Sequence, residues 1–264
     1  MSQPTPTITP LTVVLVHGAF ADASSWTGVI ERLQASGVQV TAPPNPLRGL
    51  SIDSAYLASV FDQIPGPVLA VGHSYGGAVI TNAATKARNV VGLVYVAAFA
   101  TDEGERLSDV ESSSKDSVLG TALVPLRYPT GDGAETAVEF AVNPAHFHDA
   151  FAADLPAEQA AVMAATQRPV AELAFSEPSG TPAWKTLPAW AVVATGDKAA
   201  GSDVIRFMAE RAGATITEVE GSHVIMISQP QVVTDVILSA VAAVGQAGGQ
   251  TRSSTGSFPS RVAR

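Results

Sequence analysis

The chain has 264 residues, 46% of them hydrophobic and 15% charged, with a formal net charge of −9 at neutral pH. That length suits one large domain around a single core, because surface-to-volume scaling makes chains split only near or above this size. The acidic balance without a Lys/Arg cluster argues against nucleic acid as a partner, the lack of cysteine excludes disulfide scaffolds and thiolate chemistry, and the longest apolar stretch, 90–100, is too short to cross a bilayer, so no membrane partner is expected.

Residues 1–10 are rich in Pro and Thr and lack a basic segment followed by an apolar run, so a cytoplasmic location without a secretory signal is expected. Short β-branched runs then alternate with longer helical segments. Strands are predicted at 12–16, 38–42, 68–71 and 91–97, and helices at 24–35, 51–63 and 75–87. After a long break, strands at 190–194 and 215–219 are joined by a helix at 202–212, and a helix at 229–244 follows. This alternation is the signature of βαβ units, so the fold class is α/β with about six parallel strands flanked by helices.

The break, 101–182, is far longer than a crossover needs. Amphipathic pieces at 133–142 and 157–166, set between Pro125, Pro129, Pro144, Pro156 and Pro169, predict several short helices rather than one long one. The segment reads as a helical cap over a core built from 11–100 and 183–245. Residues 246–264, with three arginines, no acid and almost no periodic apolar residues, are expected to form a disordered tail.

The chemistry concentrates in Gly72-His73-Ser74-Tyr75-Gly76. A strand leads into this turn and a helix leaves it, the context in which a serine sits at a sharp elbow with its hydroxyl above the sheet edge. Serine needs a base. Of the five histidines, His17 and His73 adjoin Gly turns, and His146 and His148 lie in the insertion, two apart without a carboxylate partner, which makes a metal site improbable. His223 follows the last strand in Glu220-Gly221-Ser222-His223, at the sheet edge where active-site loops gather. A carboxylate must hold the other imidazole nitrogen. Asp197, in Thr195-Gly196-Asp197 after a strand, gives the chain order Ser74, Asp197, His223; Asp102, beside Glu103, is the competing acid. Two backbone N–H groups could stabilise a developing oxyanion: that of Tyr75, and that of Ala19 in His17-Gly18-Ala19-Phe20, with Phe20 the alternative.

Taken together, the elbow, His17-Gly18-Ala19-Phe20, Gly196-Asp197 and Gly221-Ser222-His223 resemble the α/β-hydrolase superfamily over 11–244. Ala19-Phe20-Ala21-Asp22 followed by Ser25-Trp26 is similar to small bacterial serine hydrolases and esterases near the methyl-esterase and hydroxynitrile-lyase branch. The resemblance implies a six-stranded parallel core and no cofactor. Haloalkane dehalogenases and epoxide hydrolases carry aspartate at the elbow, where this chain has Ser74. Hydroxynitrile lyases typically place lysine after the catalytic histidine, and here Val224 stands there.

The expected function is therefore hydrolysis of a carboxylic ester or lactone through a Ser-His-Asp triad and an acyl-enzyme, with a small-molecule substrate, no metal and a monomer or homodimer as the working unit. The alternatives are a cofactor-free lyase or perhydrolase on the same scaffold, and a non-catalytic small-molecule binding module. Phe140, Phe147, Phe151, Phe175 and Trp184, in or just beyond the insertion, point to an apolar acyl or alcohol group, although packing between cap and sheet uses the same residues. No substrate-binding residue is read from the sequence itself.

Overall fold

The computed structural model describes residues 10–253. The first half alternates strand and helix: β1 (Thr12–Val16), a 3₁₀ turn at Ala23–Trp26 running into α1 (Thr27–Ala35), β2 (Gln39–Thr41), α2 (Leu50–Asp62), β3 (Val68–His73), α3 (Tyr75–Ala83) and β4 (Val90–Val96). β1 reads Thr-Val-Val-Leu-Val and is buried throughout, as is β3. Such runs without polar alternation form strands that are covered on both faces.

The insertion follows, with α4 (Leu107–Ser113), α5 (Leu119–Ala122), β5 (Leu123–Thr130), β6 (Glu135–Val142), α6 (Pro144–Phe151), α7 (Ala157–Thr166), β7 (Val170–Ala171) and α8 (Leu173–Ser176). The core then resumes with β8 (Ala189–Ala194), α9 (Ser202–Arg211), β9 (Thr215–Val219), α10 (Ile225–Ser228) and α11 (Pro230–Ser253).

The main sheet has six strands in the order β2-β1-β3-β4-β8-β9, and every pairing is parallel. From β1 the chain first moves outward to β2 and then returns to β3 on the other side of β1. Crevices open at the carboxyl ends of strands where the order reverses in this way. Register does the rest: Val16 pairs with Gly72 and Ala194 with Val219, so the turns after β1 and β3 lie side by side, as do those after β8 and β9.

Two expectations change. The piece 133–142, expected to be helical, is strand β6, paired antiparallel with β5 and β7. Its sequence Glu-Thr-Ala-Val-Glu-Phe-Ala-Val carries Val, Thr and Phe, which suit a half-buried sheet, and Gly131 and Gly133, both at positive φ, make the hairpin turn. Pro125 and Pro129 fall on β5, which has one partner only, the edge position that tolerates proline. α7 keeps the helical form expected for 157–166. The second change is at the C-terminus, where α11 continues past 244 to Ser253, since extending a nucleated helix costs little. The rest of the expected tail, 254–264, lies outside the described residues. Among the described residues no helix is long and apolar enough to cross a membrane.

Candidate active site

β3 ends at His73 and α3 begins at Tyr75, so Ser74 alone turns the chain, at φ 53° and ψ −124°. A non-glycine residue there stores about 1–3 kcal/mol of strain and persists only where its surroundings over-determine it. They do. Ser74 N–H donates to the Val96 carbonyl at 3.3 Å, and its own carbonyl accepts from Gly77 at 2.9 Å and Phe99 at 3.2 Å. The turn is also too tight for side chains: a Cβ on Gly72 would lie 2.5 Å from the Gly76 carbonyl oxygen, and one on Gly76 would lie 2.5 Å from that of Val16.

Gly196 N–H donates to the Gly221 carbonyl at 3.0 Å and joins the loops after β8 and β9. Across this junction the His223 Nδ1–H donates to Asp197 Oδ2 at 2.8 Å, both side chains being buried. Asp197 Oδ1 accepts the N–H groups of Ala199 and Ala200, each at 2.9 Å. Three donors fix the carboxylate, which in turn fixes the imidazole tautomer and leaves Nε2 for other work. Asp102 is engaged elsewhere, paired with Lys185 Nζ at 2.6 Å.

Ser74 and His223 line one narrow cavity together with Ala19, Phe20 and Tyr75. Tyr75 opens α3, so its N–H is one of the helix's free first-turn donors. Among the described residues no acceptor takes the N–H of Ala19 or Phe20. Phe20 adopts φ 59°, so this loop too is held in an uncommon conformation. Its anchor is His17, whose Nδ1–H donates to the Gly18 carbonyl and whose Nε2 accepts from Asn45 N–H, both at 2.9 Å. Burial lowers the His17 pKa to about 4, so the ring is neutral and structural.

Three supporting contacts escaped the sequence. His73, which reads as a locally held turn residue, donates from Nε2 to the His223 carbonyl at 2.9 Å. Tyr75 sends its hydroxyl 2.7 Å to Asp53 Oδ2, and the Arg48 N–H donates to the same buried carboxyl. Burial pushes the Asp53 pKa up, against those hydrogen bonds. Asp154, beyond α6, accepts from both the N–H and the hydroxyl of Ser222. The first had a signal in its place beside the serine; the other two join positions with no sequence relationship.

The remaining cavity wall is largely apolar, with Phe99, Leu107, Leu119, Phe151, Phe175 and Ala200; Glu111 is its one acid besides the machinery. Of the aromatics noted in sequence, Phe151 and Phe175 line the cavity. Phe147 and Phe140 stand behind them, with ring centroids 5.0 and 6.2 Å away. Trp184 instead donates to the Thr101 carbonyl. His148 Nε2–H bonds to the Leu155 carbonyl, and among the described residues no three His, Cys, Asp or Glu side chains gather as metal ligands would.

Residues 13–236 match the alpha/beta hydrolase family. Among solved structures, that of polyneuridine aldehyde esterase superposes with a TM-score of 0.73 at 21% identity, over 88% of this chain and 99% of that one. A pyrethroid hydrolase from Sphingobium faniae JZ-2 gives 0.70 at 20%, over 90% and 100%, and the methylesterase MES16 from Arabidopsis gives 0.70 at 20%, over 88% and 99%. At these identities the likeness is one of fold. No curated protein sequence matches the chain.

Proposed function

The chain belongs to the alpha/beta hydrolase family, and from that premise we propose that it is a serine esterase acting on carboxylic esters, lactones included, whose acyl group is apolar. The observation that carries this reading is the Nδ1-anchored imidazole of His223 sharing a cavity with the strained Ser74. The esterase and hydrolase names of the similar structures agree with it.

In this mechanism Ser74 Oγ attacks the carbonyl carbon as His223 Nε2 takes its proton, and Asp197 stabilises the resulting imidazolium. The carbonyl oxygen becomes an oxyanion held by the N–H of Tyr75 and that of Ala19, or of Phe20 in its place, each donor contributing a factor on the order of 10²–10³. Collapse breaks the bond to the alcohol oxygen, which leaves with the proton from His223. Water then attacks the acyl-enzyme by the same route and frees Ser74. The insertion acts as a cap, and its Phe151 and Phe175, with Leu107 and Leu119, supply the apolar surface for the acyl chain.

The test is a fluorophosphonate probe, which labels activated serines, combined with a panel of aryl, short-chain and long-chain esters and lactones. The wild-type protein should be labelled at Ser74 and turn over part of the panel, and Ser74→Ala should do neither. Full activity in Ser74→Ala would sink the proposal.

A further inference from the structure

His223 belongs to a short loop between β9 and α10, and its ring can serve as base only while that loop stays in place. Besides the Gly196–Gly221 bond and the Asp197 carboxylate, two further contacts hold the loop from opposite sides. From the core, His73 bonds to the carbonyl of His223 itself. From the insertion, Asp154 bonds to the preceding residue: the Ser222 N–H donates to Oδ2 at 2.9 Å, and the Ser222 hydroxyl donates to Oδ1. The neighbouring Phe151 lays its ring edge-on against the imidazole, with centroids 4.9 Å apart.

The fit is close. A Cβ on Gly221 would lie 2.3 Å from Ile225 Cδ1 and 2.8 Å from Asp154 Oδ2, so the loop packs closely against both side chains. Burial resists ionisation of Asp154, but the hydroxyls of Ser222 and Ser228 with the N–H groups of Ser222 and Asp154 outweigh it and hold its carboxyl below the usual range. It is therefore a charged acceptor at neutral pH, and hydrogen bonds to charged groups are the stronger kind.

We propose that Asp154 is a positioning residue for the catalytic base: by clamping Ser222 it couples the seating of the insertion to the placement of His223. The proposal rests on the serine-esterase reading above. Asp154 touches no reacting atom. Its removal leaves the cavity walls in place and lets the imidazole drift, and a displacement of about 1 Å in a catalytic group can cost on the order of a hundredfold in rate. Because Asp154 sits in the insertion, this contact ties the loop of the base to that segment.

The test compares wild type, Asp154→Leu, Asp154→Asn and Ser222→Ala by the rate of fluorophosphonate labelling at Ser74, and by kcat and KM on whichever ester of the panel the wild type cleaves. Asp154→Leu should be labelled at least about tenfold more slowly and lose kcat to a similar degree with KM within about twofold. Asp154→Asn keeps an oxygen for the Ser222 N–H and should recover much of the loss. Ser222→Ala, which retains its N–H, should fall in between. If Asp154→Leu fails to fold, Ser222→Ala still decides, because a purely structural role predicts altered yield or melting temperature with unchanged labelling and kcat in the folded fraction. Folded variants labelled as fast as wild type overturn the clamp alone, whereas a wild-type protein that the probe does not label overturns the esterase reading and the clamp with it.

Discussion

The His73 Nε2–H donates to the carbonyl of His223 at 2.9 Å, joining the residue before Ser74 to the proposed base 150 positions later. Burial drives the His73 pKa well below its usual value, with the nearby His223 adding to the effect, so the ring is neutral and keeps the proton that this bond needs. Replacing His73 by Phe preserves a flat ring but removes the donor and leaves a buried carbonyl unpaired, at a cost of about 1–3 kcal/mol. The expected outcome is a lower melting temperature together with a kcat reduced about tenfold at nearly constant KM, because the base rather than the substrate pocket is disturbed. A kcat equal to wild type in the folded variant would show that His73 serves packing alone.

The two candidate acids separate cleanly by mutation. Asp197 accepts from His223 Nδ1 and from two backbone N–H groups in a buried setting, whereas Asp102 meets Lys185 near the surface. Asp197→Asn should lower kcat by about 10³–10⁴, since an amide neither selects the productive tautomer nor stabilises the imidazolium. Asp102→Asn removes a largely exposed ion pair, worth about 1 kcal/mol or less, and should leave kcat unchanged. Steady-state rates of the two variants on one ester decide the matter, and the reverse pattern would transfer the acid role to Asp102.

The residues of the candidate site were legible because each sits at a strand end with a local signature: Gly72 to Gly76 for the serine turn, Gly196-Asp197 for the proposed acid, Gly221-Ser222-His223 for the proposed base. The six core strands were legible for the same reason, since a β-branched run such as 12–16 makes a buried strand wherever it is packed. What remained hidden depends on partners distant in sequence. β6 reads as amphipathic in either form, and its pairing with β5 decides for strand. The links from Asp53 to Tyr75 and from Asp154 to Ser222 pair lone polar residues across 22 and 68 positions, and a single polar residue has no period to reveal its partner.

Gly18 offers a steric test of the oxyanion loop. A Cβ there would sit 2.7 Å from the Ser74 Cβ and 2.9 Å from the His73 carbonyl oxygen. Neither atom can yield, because both belong to the elbow. Gly18→Ala should therefore displace the loop carrying Ala19 and Phe20 and withdraw one oxyanion donor, which corresponds to a loss of about 10²–10³ in kcat. Gly37→Ala is the control, since Cβ space there is open and only its positive φ of 75° resists the change, with a stability cost but no effect on the site. Comparable kcat losses in both variants would remove the oxyanion loop from the account.

Acid stability should carry the mark of His17. Its pKa falls from 6.5 in the unfolded chain to about 4 in the folded protein, chiefly through burial. Above pH 6.5 the ring is neutral in both states and the full stability is present. Between pH 6.5 and about 4 the unfolded chain takes up a proton that the folded protein refuses, so stability falls with pH by roughly 3 kcal/mol across that window. His73, lowered in the same direction, adds to the loss. Asp53 opposes it, because burial raises its pKa and the cost of its ionisation is relieved as pH drops. Urea denaturation at pH 7, 5.5 and 4.5 measures the sum, and His17→Gln isolates the one contribution: its amide oxygen can still accept from Asn45, and it does not titrate. The variant should start less stable at pH 7 and lose less on acidification. Parallel pH profiles for variant and wild type would exclude His17 as the source.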